Sequence, residues 1–262
     1  MPPQTFNEDK MKFKNFVSPS TIAEAYELIK TPDTVILGGM MWMRMQSRTV
    51  TNAVDLSKLG LDKIEETEDG IRVGAYVTLR DAETSSLLNS YTHGAIKGAF
   101  APIVGVQFRN TATVGGSVYG RFGFSDVTTL FTALGASIDL AGKGRTDLVD
   151  FVRDGAPKDL LTYVNLPKEA PDNFICLAHR NTATDFPVVS IAMCLRRDML
   201  RITVTPAPLR GQTVDIALGD AKQNPEQIFE KFSFRADAAG SAEYRAHLCR
   251  VLITRGLDAI GG

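Results

Sequence analysis

Three observations predict that this sequence folds as α+β, in two domains. Strand and helix patterns mix without a regular β-α-β alternation, which disfavours a doubly wound sheet. No strand is followed by the G-x-G-x-x-G run of a classical dinucleotide fold. The character of the chain changes after Pro167, where Lys168-Glu169-Ala170-Pro171-Asp172 reads as a linker. The boundaries expected are a flexible leader over 1–10, a first domain over 11–167 and a second over 172–262.

The elements follow in order. Thr21-x-x-Glu24 is a capping-box pattern, and Ile22, Ala25, Tyr26 and Ile29 then fall on one helical face. Pro32-Asp33 breaks that helix, and Thr34–Leu37 is a β-branched strand running straight into Gly38-Gly39. A second short strand is expected over 53–56. Ile71, Val73, Ala75 and Val77 alternate strictly, as a half-buried strand does. Thr78-x-x-Asp81 opens a helix to about Leu88, and a further helix spans 95–104. Val127, Leu130, Phe131 and Leu134 form an amphipathic helix starting at Ser125-Asp126 and closed by Gly135. Ser137–Leu140 and 161–166 are strands, with a turn at Gly142-Lys143-Gly144. The second domain has strands over 174–178, 188–195 and 201–204, loops over 206–212 and 221–225, and a closing helix from Ser241 to about Leu257.

Composition excludes several function classes. Net charge is −1, from 29 basic and 30 acidic residues, so there is no basic footprint for nucleic acid. No apolar run approaches a membrane span, and 1–10 is too polar for a signal peptide, so the expected location is cytoplasmic. Cys176, Cys194 and Cys249 are scattered, without a C-x-x-C pair, and His93, His179 and His247 have no metal-ligand spacing. No G-x-S-x-G nucleophile elbow is present.

The candidate site lies in two double-glycine loops, Leu37-Gly38-Gly39-Met40 and Asn110-Thr111-Ala112-Thr113-Val114-Gly115-Gly116-Ser117. Adjacent glycines let backbone approach a ligand closely and permit positive φ. Successive amides form nests for phosphate oxygens. A single glycine pair is usually only a turn. Two pairs, the second wrapped in Arg109, Asn110, Thr111, Thr113 and Ser117, suggest a diphosphate held between two loops. Asp126, ten residues beyond Gly116, either accepts from a ribose or ribityl hydroxyl or caps the helix that follows.

These segments resemble the FAD-binding subunit of the molybdenum hydroxylases, the group of xanthine dehydrogenase and aerobic carbon monoxide dehydrogenase. The resemblance is carried by Phe16-Val17-Ser18-Pro19-Ser20-Thr21-Ile22-Ala23-Glu24-Ala25, Leu37-Gly38-Gly39, Val54-Asp55-Leu56-Ser57 and Arg72-Val73-Gly74-Ala75-Tyr76-Val77-Thr78-Leu79. It continues through the run Arg109 to Ser117, its most specific element, then Asp126, Ala133-Leu134-Gly135-Ala136 and Ser241-Ala242-Glu243-Tyr244-Arg245.

The resemblance implies a two-subdomain FAD-binding domain of the vanillyl-alcohol oxidase (PCMH) type, followed by a small domain with a three-stranded antiparallel sheet. It implies a heteromer, in which a molybdopterin subunit oxidises substrate and a subunit with two [2Fe–2S] clusters relays electrons. FAD on this chain would collect them for an acceptor such as NAD or a quinone. The other reading is a scaffold of the same fold that assembles partners without flavin. Gly38, Gly39, Thr113, Gly115, Gly116, Ser117 and Asp126 match family flavin contacts, with Leu37 and Val114 inside the same runs. Asp185-Phe186 falls where the family places an acid and an aromatic near the isoalloxazine, though Phe186 is equally readable as core. The chain departs from the family at Met40-Met41-Trp42-Met43, which reads as adaptable packing, an adenine contact or a partner contact. It departs again at Tyr119-Gly120-Arg121-Phe122-Gly123-Phe124, where Arg121 is either a surface cation or a neutraliser of diphosphate charge. Trp42, Phe122 and Phe124 are also candidates for an apolar partner-facing patch.

Overall fold

Three separate sheets organise the chain. The computed structural model describes residues 11–155, 158–206 and 208–260, so the leader expected over 1–10 lies outside it. β1 (Lys12–Val17), β2 (Thr34–Leu37) and β3 (Thr49–Asp55) form a parallel sheet in the order β1-β3-β2. Helix α1 (Ile22–Lys30) carries the chain from β1 across to β2 on the far side of β3, as parallel strands require a crossover, and its Ala25 and Ile29 pack on Val54 and Leu56. Thr21 caps α1, its Oγ1 accepting from the Glu24 amide, while the Glu24 carboxylate accepts from the amide of Ser20, one residue before the position a capping box would use.

The second sheet is antiparallel. Its strands are β4 (Ile64–Thr67), β5 (Gly70–Gly74), β6 (Ser137–Leu140), β7 (Gly144–Asp147) and β8 (Leu161–Pro167), in the order β4-β5-β8-β6-β7. Six helices lie between β5 and β6: α2 (Leu79–Thr84), α3 (Ser86–Tyr91), α4 (Ala95–Phe100), α5 (Val106–Arg109), α6 (Val114–Tyr119) and α7 (Asp126–Ala133). α8 (Leu148–Asp154) joins β7 to β8. The single helix expected from Thr78 to Leu88 breaks at Ser85, whose hydroxyl caps α3 by accepting from the Leu88 amide. The helix expected over 95–104 ends at Phe100, because Pro102 supplies no amide to continue it. Gly135 closes α7 in the left-handed region, with φ +70°, as expected.

The C-terminal domain is an antiparallel meander of β9 (Asn173–Arg180), β10 (Pro187–Arg196), β11 (Met199–Thr205) and β12 (Gln212–Ala217). Its sheet therefore has four strands, not the three expected. The extra strand, β12, lies at the edge and carries polar residues, so its alternation is faint. Its pairing is visible in Arg201, which donates to the Asp215 carboxylate at 2.7 and 2.8 Å directly across the ladder. Helices α9 (Leu218–Gln223), α10 (Glu226–Phe229) and α11 (Ala242–Ile260) cover one face. The other face receives α7. β10 is buried on both sides: Ile191 and Met193 join the core under α11, while Ala192 and Cys194 join the core of the first domain.

One buried ion pair fixes the approach to the second glycine loop. Arg109, at the end of α5, donates from Nε to the Glu83 carboxylate at 2.7 Å and from Nη1 to the Ile103 carbonyl at 3.0 Å. Arg80 reaches the same carboxylate at 2.6 Å. Burial alone pushes the Glu83 carboxyl up, but hydrogen bonds from Arg109 and Arg80 outweigh it and hold the group below its usual value. A depressed folded-state value means the stabilisation is complete above the unfolded value of 4.5 and falls away in acid. We predict that Arg109→Met lowers stability by about 3 kcal/mol, the low end of the cost of orphaning a buried charge because Arg80 remains. Denaturant unfolding checks this, and Arg109→Met combined with Glu83→Leu should recover most of the loss.

Candidate functional site

The first glycine loop leaves the carboxyl end of β2, and Tyr76 holds that end in place. The Tyr76 hydroxyl donates to the Leu37 carbonyl and accepts from the Leu56 amide at 3.0 Å, tying the ends of β2 and β3 together. Leu37 thus serves as an anchor. Beyond it, Gly39 lies against the backbone of Thr111 and Ala112: a Cβ there would sit 2.0 Å from the Thr111 oxygen. Gly38 lies beside Thr113, with Oγ1 3.1 Å from where its Cβ would stand. The two loops therefore touch, backbone to backbone.

The second loop is more ordered than its sequence suggests. Thr113 is the N-cap of α6, and the Gly115-Gly116 pair lies within that helix. The Val114 amide donates to the Val77 carbonyl and the Gly115 amide to the Ala75 carbonyl, each at 2.9 Å. The Gly116 amide donates to Thr113 Oγ1 at 3.2 Å and the Ser117 amide to the Thr113 carbonyl at 3.0 Å. All four amides are engaged in the fold, so this loop does not present the nest of free donors expected from sequence. In the first loop, the amides of Gly39, Met40 and Met41 donate to no backbone acceptor among the described residues. None of the four glycines has a positive φ, whereas Met40 does, at +54°. Close approach, not backbone conformation, is what requires glycine here: a Cβ on Gly115 would lie 2.6 Å from the Ala75 side chain.

Between the loops lies a cleft of about 340 Å³. Gly38, Gly39, Met40 and Met41 line one side, and Thr113, Gly115, Gly116 and Ser117 line the other. Val114 is fully buried behind it. Tyr76, Asp159 and Arg48 also line the cleft; Tyr76 lies in a segment that carried the resemblance, whereas Asp159 and Arg48 had no signal in the sequence. The Asp159 carboxylate accepts from the amides of Gly142, Lys143 and Leu160, which fixes it against the 142–143 turn. Arg121 does not reach it. Its backbone is left-handed, with φ +47°, which turns the guanidinium over the Phe151 ring and against Gly155. The diphosphate role weighed for Arg121 therefore has no geometric support.

Asp126, Asp185 and Phe186 meet around a second, smaller cavity of about 70 Å³, which shares Trp42, Phe108, Ser117 and Phe122 with the cleft. Ser125 is the N-cap of α7, its hydroxyl accepting from the Thr128 amide at 3.1 Å, so the capping role weighed for Asp126 belongs to its neighbour. The Asp126 carboxylate accepts instead from Arg180 at 2.7 Å and from the Ser190 hydroxyl at 2.9 Å. Burial pushes its carboxyl up, against the opposing pull of Arg180 and Ser190. Arg180 also donates to the Asp185 carbonyl at 3.1 Å, while the exposed Asp185 carboxylate accepts from the Phe186 amide. Phe186 is 46% exposed, and its ring packs on Trp42 and Phe124.

Among the described residues no group of three or more His, Cys, Asp or Glu side chains is placed to hold a metal ion, and no helix is long and apolar enough to cross a membrane. Residues 10–169 match the model of the FAD binding domain in molybdopterin dehydrogenase. The chain belongs to that family. It is similar to the nicotine 6-hydroxylase medium subunit of Paenarthrobacter nicotinovorans, at 25% identity over 96% of this chain and 99% of that one. It is similar also to the glyceraldehyde dehydrogenase medium chain of Sulfolobus acidocaldarius, at 22% identity over 94% and 98%. The fold matches that of quinoline 2-oxidoreductase from Pseudomonas putida 86, with a TM-score of 0.81 at 20% identity over 94% of this chain and 96% of that one. The chain is thus an FAD-binding medium subunit of the molybdenum hydroxylase family, an oxidoreductase subunit whose cofactor is FAD. The cleft fits that group: the lining residues Gly39, Met40 and Met41 have amides with no backbone acceptor among the described residues, and a Cβ on Gly116 would meet only Thr113 Oγ1, at 3.1 Å.

Two predictions follow from this geometry. Gly39→Ala should force the loops apart and destabilise the protein by roughly 1–3 kcal/mol or more, the cost of overpacking. Gly116→Val should keep its melting temperature to within a few degrees yet lose about tenfold or more in FAD affinity; flavin titration beside thermal melts separates the two. The second concerns Tyr76, whose hydroxyl is pushed up to about 12, first by burial. A raised folded-state value gives stability that is complete below the unfolded value of 10.0 and is lost as pH rises toward about 12. The stability difference between the unmodified chain and Tyr76→Phe should therefore shrink across that interval in alkaline denaturation.

Proposed function

We propose that this chain is the flavin stage of a cytoplasmic electron relay, in a heteromer with a [2Fe–2S] iron–sulfur subunit and a molybdopterin-binding subunit. The observation that carries the reading is the cleft itself, lined by Gly39, Met40 and Met41, whose amides have no backbone acceptor among the described residues, and by Gly116, where a Cβ would meet only Thr113 Oγ1. A count supports the partner requirement. Each [2Fe–2S] cluster takes about four cysteine ligands, and the whole sequence has 3 cysteines.

The amides of Gly39, Met40 and Met41 would meet the diphosphate of FAD. Thr113 Oγ1 accepts from the Gly116 amide, which leaves its own proton to donate toward a phosphate oxygen. Ser117 Oγ donates to the Thr113 carbonyl and so offers lone pairs toward the cleft. Asp126 would accept from a ribityl hydroxyl, with Arg180 and Ser190 fixing its carboxylate. Asp185 and Phe186 would stand beside the flavin ring. When bound, FAD accepts electrons singly and releases them as a pair, to an acceptor such as NAD or a quinone.

The test is to load the chain with FAD and add organic substrate, alone and with its two partner subunits. Flavin bleaching is expected only with both partners present, and Asp126→Asn should weaken FAD about tenfold in titration. Full turnover of an organic substrate by the isolated chain would remove the subunit reading, and a turning-over complex without flavin would turn it into the scaffold.

A further inference from the structure

We propose that Trp42, Phe122, Phe124 and Phe186 form one stacking platform for the isoalloxazine ring, with Trp42 the residue that selects it. The proposal rests on the reading that FAD lies in the glycine-loop cleft. That cleft, at about 340 Å³, is near the lower end of what drug-sized ligands occupy, and a dinucleotide is larger than those. A long ligand must therefore continue out of it. The neighbouring cavity shares the walls Trp42, Phe108, Ser117 and Phe122 with the cleft, so it is the adjoining space.

The four rings come from three separate parts of the chain. Trp42 follows the first glycine loop, Phe122 and Phe124 follow the second, and Phe186 precedes β10 in the C-terminal domain. They nevertheless converge: the Trp42 ring lies 5.6 Å from each of the others, and Phe124 lies 4.2 Å from Phe186. Two pairs are nearly parallel, Trp42 with Phe186 at 26° and Phe122 with Phe124 at 9°. Trp42, Phe122 and Phe186 are each more than a third exposed, at 39, 37 and 46%. Exposed aromatic surface gathered from three segments marks a binding site. The floor beneath the rings is polar, with the Asp126–Arg180 pair and Ser125. Aromatic walls over a polar floor suit a flat heteroaromatic ring that has one polar edge. The isoalloxazine is such a ring, its pyrimidine side carrying carbonyls and a ring N–H while its benzenoid side is apolar.

Trp42 is the only tryptophan in the chain, which makes the platform accessible to spectroscopy. Indole in contact with an isoalloxazine quenches flavin emission, so the bound ligand itself reports the stack. The full chain is titrated with FAD, riboflavin and ADP, and the emission of bound FAD is recorded, with circular dichroism checking each variant's fold. Trp42→Leu should weaken riboflavin and FAD about tenfold, in line with base–aromatic stacking, and leave ADP unchanged. The emission of its bound FAD should rise several-fold. Trp42→Phe should retain most of the riboflavin affinity, and Phe186→Ala should lose it in the same direction as Trp42→Leu. Unaltered riboflavin and FAD affinity in Trp42→Leu would overturn the platform. So would a loss of ADP with riboflavin retained, which would put adenine on Trp42. Either result, with FAD still bound by the unmodified chain, leaves the flavin-subunit reading standing. An unmodified chain that binds neither FAD nor ADP removes that reading and the platform together.

Discussion

Gly39 resting on the backbone of Thr111 and Ala112 is the contact on which the rest of the molecule depends. The first loop hangs from a three-stranded parallel sheet and the second from the helices over a five-stranded antiparallel sheet, with no strand shared between them. Their meeting sets the width of the cleft, and it tolerates no side chain. Other features can be ordered by how they serve this contact. Tyr76 belongs to the antiparallel half yet bonds to the ends of β2 and β3, so it pins the first loop from the far side. Arg109 and Glu83 fix the turn from which the second loop starts, and Ala75 and Val77 accept the amides of α6. Each is a fold contact that a ligand site would need held still.

The last sheet is held to the rest of the molecule by a helix as well as by the 168–172 connection, whose Glu169 carbonyl accepts from both Tyr91 and Arg196. All eight residues of α7 are buried, and it packs between the first domain and the sheet of the second. At its first residue Asp126 is desolvated, and Arg180 and Ser190 reach it from β9 and β10. A buried ion pair is weak evidence for stability, since burial of both charges offsets their attraction. Its geometric effect is plainer: it fixes β9 against α7, and that position brings the following turn, with Phe186, to Trp42. The same pair therefore ties together the two domains and the aromatic cluster.

Much of this was legible in the sequence, wherever a local rule matched its tertiary setting. Thr21 and Glu24 announced α1, Thr34 to Leu37 ran into a glycine loop, Gly135 closed α7, and the alternating Ile71 and Val73 lie in β5. The losses have physical reasons. Two adjacent glycines are poor helix formers, so α6 was hidden inside what reads as a loop. Ser125 and Asp126 are both good N-caps, and only packing decides that the serine caps while the aspartate pairs with Arg180. A left-handed backbone is uncommon for arginine, so nothing local told that Arg121 turns away from the cleft. β12 is an edge strand whose polar residues blur its period. The glycines themselves were found for a partly mistaken reason, since space rather than positive φ selects them.

The cysteines complete the argument for a division of labour. Cluster ligation and nucleophilic chemistry both need thiolates, which form at exposed, electropositive positions. Here burial pushes the Cys194 thiol up to about 11 and Cys249 up to about 12, and Cys176 is raised as well. All three are neutral packing groups in β9, β10 and α11, far apart in sequence and placed by their cores. The polar groups gathered around the cleft and the smaller cavity are of another kind: backbone amides, hydroxyls, the carboxylates of Asp126, Asp159 and Asp185, and the guanidinium groups of Arg48 and Arg180. Such a set is suited to binding and orienting a cofactor. In the relay proposed here, then, the chain's contribution is the shape of the cavity and the orientation of what it holds, with the chemistry left to the cofactor and to other subunits.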